Sequence, residues 1–156
     1  MNLEIERKFL VKGNFKSLAV NSYKIAQGFL STVPERTVRV RIKNDKGFIT
    51  VKGIGNESGT SRFEWEKEIS LLDAENLLKI CEPIIIEKIR YIIPEKNGLF
   101  FEVDKFLGEN EGLLIAEIEL PNEDFKFAKP NWLGDEVTGE TKYYNSVIAK
   151  KPYKSW

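Results

Sequence analysis

Charged and apolar side chains alternate with a period of two in one segment after another of this chain, the pattern of extended strands with one charged and one apolar face. The first segment, Glu4-Ile5-Glu6-Arg7-Lys8, turns Glu4, Glu6 and Lys8 to one side. Arg39 and Arg41 alternate with Val38, Val40 and Ile42, and Thr50 and Lys52 with Ile49 and Val51. Arg62, Glu64, Glu66 and Glu68 oppose Phe63, Trp65 and Ile69, while Lys88 and Arg90 oppose Ile89 and Tyr91. Glu102 and Asp104 then oppose Phe101 and Val103, and Glu117 and Glu119 oppose Ala116, Ile118 and Leu120. Any one such strand fits a half-buried sheet with a wet face. Together they ask for more, because the signs segregate by strand: Arg39, Arg41 and Lys52, then Lys88 and Arg90, then a purely acidic set.

Turn signals such as Asn44-Asp45-Lys46-Gly47, the Gly-rich stretch from Gly53 to Gly59 and Glu95-Lys96-Asn97-Gly98 divide the chain into about eight strands joined as hairpins. Their expected spans are Leu3 to Val11, Tyr23 to Thr32, Glu35 to Lys43, Gly47 to Gly53, Ser61 to Ile69, Ile84 to Pro94, Gly98 to Phe106 and Leu113 to Leu120. A helix is expected from Leu71 to about Cys81, capped by Ser70 and stopped by Pro83, and a second from about Glu140 to Lys150. A weaker helical turn is placed within Asn14 to Val20.

Closing such strands into a barrel leaves two choices: apolar residues inside, or charges in the lumen and apolar residues outside under helices. Phe9, Phe63, Trp65, Tyr91 and Phe101 are too bulky to share a narrow lumen, and two amphipathic helices need a surface to cover. The expected fold is therefore α+β and mainly antiparallel, a closed eight-stranded β-barrel with a charged lumen and helices packed on the outside. At 156 residues it forms a single domain, 1–156.

Composition narrows the chemistry. Charged residues make up 31% of the chain against a usual quarter or so, and the lumen is where the excess goes. Lys plus Arg and Asp plus Glu number 24 each, so no global positive field gathers nucleic acid. The chain has no histidine, which removes the usual general base and the commonest nitrogen ligand, so any metal must be oxygen-bound. The single cysteine, Cys81, reads as an inert buried thiol. With no apolar run long enough for a signal peptide or a membrane span, a soluble cytoplasmic protein is expected. A lumen of this kind holds together only when opposite charges pair or a charged ligand and metal complete them. Arginines suit phosphate oxygens and clustered carboxylates suit a hard divalent cation, so polyphosphate with Mg²⁺ or Mn²⁺ is the expected content.

Glu4-Ile5-Glu6-Arg7-Lys8 resembles the ExExK signature of the CYTH superfamily, the triphosphate tunnel metalloenzymes. Supporting segments follow in the expected order, among them Gln27-Gly28-Phe29-Leu30, Val38-Arg39-Val40-Arg41-Ile42, Thr50-Val51-Lys52-Gly53, Glu87-Lys88-Ile89-Arg90-Tyr91, Glu102-Val103-Asp104, Ala116-Glu117-Ile118-Glu119-Leu120 and Trp132-Leu133-Gly134-Asp135-Glu136-Val137-Thr138. The resemblance implies that Glu4, Glu6, Glu117 and Glu119, with Asp104 contributing, hold the metal, and that Lys8, Arg39, Arg41, Lys52, Lys88 and Arg90 grip the triphosphate. Apart from Asp104, these are the candidate catalytic residues. Short relatives often carry tyrosine where this chain has Phe29, so any role of that phenol is absent. Arg62, Glu64, Glu66 and Glu102 match in register and could either reach ligand or balance charge.

The family's short bacterial members imply hydrolysis of inorganic tripolyphosphate to diphosphate and phosphate. Class IV adenylyl cyclase, thiamine or nucleoside triphosphatase and a non-enzymatic triphosphate-binding module are the alternatives. Trp132, Tyr143 and Tyr144 could lie near a tunnel opening, although outer packing suits them better. The expected partner is a small-molecule triphosphate, with neither nucleic acid nor membrane, and the aromatic outer surface could serve a homodimer as easily as helix cover. Arg7 breaks the alternation and is expected outside, dispensable for chemistry.

Overall fold

The computed structural model describes residues 3–156. Nine strands run in chain order: β1 (Leu3–Val11), β2 (Asn21–Ser31), β3 (Thr37–Lys43), β4 (Lys46–Lys52), β5 (Ser61–Ile69), β6 (Ile86–Pro94), β7 (Phe100–Phe106), β8 (Leu114–Glu119) and β9 (Leu133–Glu136). They form one antiparallel sheet in the order β5-β4-β3-β2-β6-β7-β8-β1-β9. Pairing of Leu3, Glu4 and Ile5 in β1 with Phe63, Arg62 and Ser61 in β5 closes the first eight strands into a barrel.

The register explains why the charges meet. Lys8 lies opposite Glu117 and Glu6 opposite Glu119, Glu102 lies opposite Glu117, and Arg90 lies opposite Asp104. On the other side Lys52 lies opposite Glu64 and Thr50 opposite Glu66. Cross-strand partners share a face, so a period of two within seven of the strands brings their charges to one inner face, which β2 completes with Gln27 and Phe29.

Apolar residues pack outside this lining. One cluster joins Phe9, Phe15, Phe101, Val103, Ile118 and Trp132, where Phe101 and Trp132 stack edge to face at 5.1 Å. A second, of Phe29, Ile86, Phe106, Ile115, Tyr143 and Ile148, does not lie outside: Phe29, Phe106 and Ile115 sit opposite Arg39, Lys88 and Asp104 on the lumen face, so apolar residues fill one end of the barrel, a correction to the expected all-charged lumen. Helices supply less of the cover than expected. α1 (Leu71–Leu78) is capped by the Ser70 hydroxyl, which accepts from the Asp73 amide. It seats Ala74 against β4 at Gly47, where a β-carbon would come within 2.6 Å of the Ala74 methyl. Long coil segments cover much of the rest, and Phe63 and Trp65 stay 43% and 41% exposed.

The second expected helix is corrected. In place of a helix over Glu140 to Lys150 there is a single 3₁₀ turn at Thr141–Tyr143, an extended Tyr144 (φ −68°, ψ 136°) and a one-turn α2 (Asn145–Ile148). The break turns Tyr144 and Asn145 onto the tunnel, and contacts there outweigh the helical propensity of the segment. The expected turn near the N-terminus is a 3₁₀ turn at Lys16–Leu18.

β9 was not expected. It pairs with the second half of β1, on the edge that β5 leaves free, and Gly134 is needed because a β-carbon there would lie 3.0 Å from the Leu10 carbonyl oxygen. Among the described residues no helix is long and apolar enough to cross a membrane.

Candidate functional site

The barrel encloses a cavity of about 230 Å³ whose lining is mostly charged. β1 contributes Glu4, Glu6 and Lys8, β3 Arg39 and Arg41, β4 Lys52, β6 Lys88 and Arg90, and β8 Glu117 and Glu119. These residues, scattered over more than a hundred positions of sequence, are thus brought to one space. Arg62, Glu64, Glu66 and Glu102 join them.

Asp104 does not. Although it has lumen parity, it lies behind the lining at 1% exposure, with Oδ2 2.8 Å from Lys88 Nζ and both oxygens accepting from Arg90 at 2.8 and 2.9 Å. In this arrangement its carboxylate pairs with two buried cations and stands apart from Glu4, Glu6, Glu117 and Glu119.

The remaining charges form three neighbourhoods. Lys52 donates to both oxygens of Glu4 at 2.9 and 3.1 Å, with Glu64 at 3.3 Å and Arg62 at 3.7 Å. Arg41 and Arg39 share Glu66 at 3.1 and 3.7 Å, and the Thr50 hydroxyl donates to the same carboxylate at 2.7 Å. Nε of both arginines is buried without a hydrogen-bond partner. Arg90 meets Glu102 at 3.3 Å, and Glu117 lies 3.9 Å from both Arg90 and Lys8.

Titration follows these contacts. Burial alone would raise Glu4, but the Lys52 ammonium, hydrogen bonds from Glu64 and Lys52 and the Arg62 charge hold it at about 2. Glu117 likewise resists burial and stays well below the usual carboxylate range, through Lys8, a hydrogen bond with Glu6 and the charges of Arg90 and Lys88. Their neighbours go the other way. Glu6 is raised well above its ordinary value by burial, then by Glu117 and Glu4, and Glu64 is raised to about 7 by burial and its contact with Glu4. In each pair two adjacent carboxylates resist ionising together, so one is lowered and the other raised. Among the cations, burial with Arg41 and Arg90 nearby lowers Arg39 to about 9, and burial lowers Lys88 to about 8 against the pull of Asp104.

Among the described residues no three acids converge into a finished coordination sphere. The donor chemistry still fits a hard divalent cation. Glu4, Glu6, Glu117 and Glu119 offer only carboxylate oxygens, and the repulsion of Glu117 that raises Glu6 is one a cation would relieve.

The sequence pattern missed part of the lining. Lys43 continues the Arg39, Arg41 parity by one more step, and its ammonium lies over the rings of Tyr23 (5.5 Å) and Phe48 (5.6 Å) at the end of the cavity. Extending the alternation would have found it. Tyr144, Asn145 and Ser146 also line the cavity, and no periodic signal marks them. Of the aromatics placed near an opening, Trp132 packs in the outer cluster, Tyr143 packs with the apolar residues that fill one end of the barrel, and Tyr144 reaches the tunnel, 5.1 Å from Lys8 Nζ. Arg7 lies outside, bonded to Glu136 at 2.6 and 2.9 Å.

Comparison with known proteins gives the same architecture a family. An inorganic triphosphatase of Acetivibrio thermocellus is 49% identical over 158 aligned residues, covering 100% of this chain and 99% of that protein. An inorganic triphosphatase of Nitrosomonas europaea is 36% identical, covering 94% and 96%. The crystal structure of an inorganic triphosphatase superposes with a TM-score of 0.68 at 33% identity, over 96% of this chain and 95% of its own. Residues 2–150 match the model of the CYTH domain, a span that includes every strand of the barrel, and the chain belongs to that family.

Proposed function

We propose that this chain is an inorganic triphosphatase, a hydrolase that cleaves tripolyphosphate to diphosphate and phosphate inside the tunnel with Mg²⁺ or Mn²⁺ as cofactor. The observation that carries this reading is the cation-rich side of the cavity, where Arg39 and Arg41 share one carboxylate and keep an unpartnered Nε each. A buried wall short of anion is stabilised by a ligand rich in anionic oxygens. The full-length likeness to relatives named inorganic triphosphatases supports it.

Water attacks a terminal phosphorus and the bond to the bridging oxygen breaks, so the chain's task is in-line placement and charge neutralisation. Arg39, Arg41 and Arg90 would grip phosphate oxygens as forks, and Lys8, Lys52 and Lys88 as point charges. Because these groups are held in place before the ligand enters, little reorganisation is needed as charge moves to the leaving diphosphate. Glu4, Glu6, Glu117 and Glu119 would hold the divalent cation, which when bound offsets phosphate charge and acidifies a water.

A second reading, an organic triphosphate ester as substrate, has one observation behind it. A hollow of about 480 Å³ lined by Ile92, Leu99, Phe100, Leu120 and Pro121 adjoins Glu102 and Glu119 at the tunnel's end. Incubation with either metal and, separately, tripolyphosphate, ATP or thiamine triphosphate distinguishes the readings. Phosphate and diphosphate from tripolyphosphate are expected. Cyclic AMP from ATP overturns the proposal, and tight binding without phosphate release makes the chain a binding module.

A further inference from the structure

Asn145 opens a one-turn helix in the C-terminal segment, far from the charged strands in sequence, yet its side chain enters the tunnel lining. Its Oδ1 accepts from Lys88 Nζ at 3.0 Å and from Gln27 Nε2 at 2.7 Å. An ammonium has three donors and no acceptor, so Lys88 obliges Asn145 to present oxygen. Gln27 must then present its amide nitrogen, which leaves Gln27 Oε1 buried and unpartnered, and Gln27 is 0% exposed. The reverse arrangement, with both amides turned round, would satisfy Gln27 and set an NH₂ group against Lys88. Leaving a buried acceptor unpaired is costly, so the network serves the lysine at the glutamine's expense.

Lys88 is thereby held from two sides, by Asp104 at 2.8 Å and by Asn145, and one of its three donors is left for an acceptor in the cavity. The preceding residue, Tyr144, sets its ring 5.1 Å from the Lys8 ammonium and 5.7 Å from the Arg62 guanidinium. Two adjacent residues of the C-terminal segment therefore touch cations on both β1 and β6.

We infer that Asn145 is a positioning residue that acts through Lys88, so that docking of the C-terminal segment sets the lysine's free donor for a phosphate oxygen. This rests on the triphosphatase reading above. A flexible four-carbon stem held at one acceptor alone retains rotamer freedom, and each misplaced donor weakens transition-state contact.

The test is a double-mutant cycle of N145L and K88M, read as kcat/KM for tripolyphosphate with Mg²⁺. N145L alone is expected to lose about tenfold or more, mainly in kcat, the scale of one hydrogen bond to a charged group. In the K88M background the same change is expected to cost little, because the group it positions is gone. Equal losses in both backgrounds would assign Asn145 a merely structural role in docking the segment and overturn the inference. Should K88M be too slow to measure, the cycle is read on tripolyphosphate affinity by calorimetry. A substrate-free reading accompanies it: a Lys88 ammonium ¹⁵N–¹H signal is expected to be protected in the wild type and lost in N145L, and its survival in the variant counts against the inference. A wild type inactive on tripolyphosphate fails the function reading instead, an outcome distinct from additivity in an active enzyme.

Discussion

The tunnel wall built by β6, β7 and β8 and the wall built by β3, β4 and β5 are both lined with charge but balance it differently. On the first, Asp104 sits beneath Lys88 and Arg90 with both oxygens used, and Glu102 and Glu117 flank the same arginine. On the second, Arg39 and Arg41 divide one carboxylate, Glu66, and keep unpartnered nitrogens. On the first wall both cations are neutralised from within, so they belong to the fold before any ligand arrives. The second wall is left short of anion, and its stability depends on what enters the cavity.

Breaking the self-neutralised wall should have the largest effect. Asp104→Ala strands two buried cations and is expected to cost about 3–5 kcal/mol of folding stability, the range for losing one partner of a buried pair. Urea denaturation measures this, and a loss below about 1 kcal/mol would remove the distinction between the walls.

On the other wall, Arg41→Ala is expected to cost about 1.5–3 kcal/mol in transition-state stabilisation, read from kcat/KM, while the unfolding midpoint of the free protein holds or rises. Lysine at that position should recover the loss only in part, because it lacks the fork.

The acid edge between the walls sets the pH response. Glu4 is lowered from 4.5 to about 2, so its contribution is full above the unfolded value and lost as pH falls through about 2. Glu64 is raised from 4.5 to about 7, so its contribution is present below the unfolded value and lost as pH rises through about 7. The urea midpoint should therefore fall on both limbs, and Glu64→Gln should make the alkaline limb shallower, with Glu6, also raised, keeping part of it.

Arg7→Ala should have the smallest effect. Its pairing with Glu136 lies outside the barrel and is partly exposed, so about 1 kcal/mol or less of stability is at stake and turnover should not change. A large loss of activity would mean that the outer face shapes the tunnel.

Much of the fold was legible in the sequence because strand periodicity is local. The spans of β1 and β5 match their expected ends, and the charged parity of seven strands predicted most of the charged lining. Where the reading failed, the deciding contact was remote in sequence. β9, with Leu133-Gly134-Asp135-Glu136, has no alternation of its own and exists because β1 leaves an edge free. The expected C-terminal helix broke at Tyr144 because the tunnel offers Asn145 better partners than another helical turn would.

Asp104 marks the boundary between the two kinds of knowledge. Alternation by itself determined which side of each strand carries charge, because successive side chains on a strand point to opposite faces whatever lies around them. Only the closed barrel decided how deep each charge sits and which neighbour reaches it first. That depends on register and shear between strands distant in sequence, and it places Asp104 against Lys88 and Arg90 while leaving Glu6 and Glu117 at the cavity.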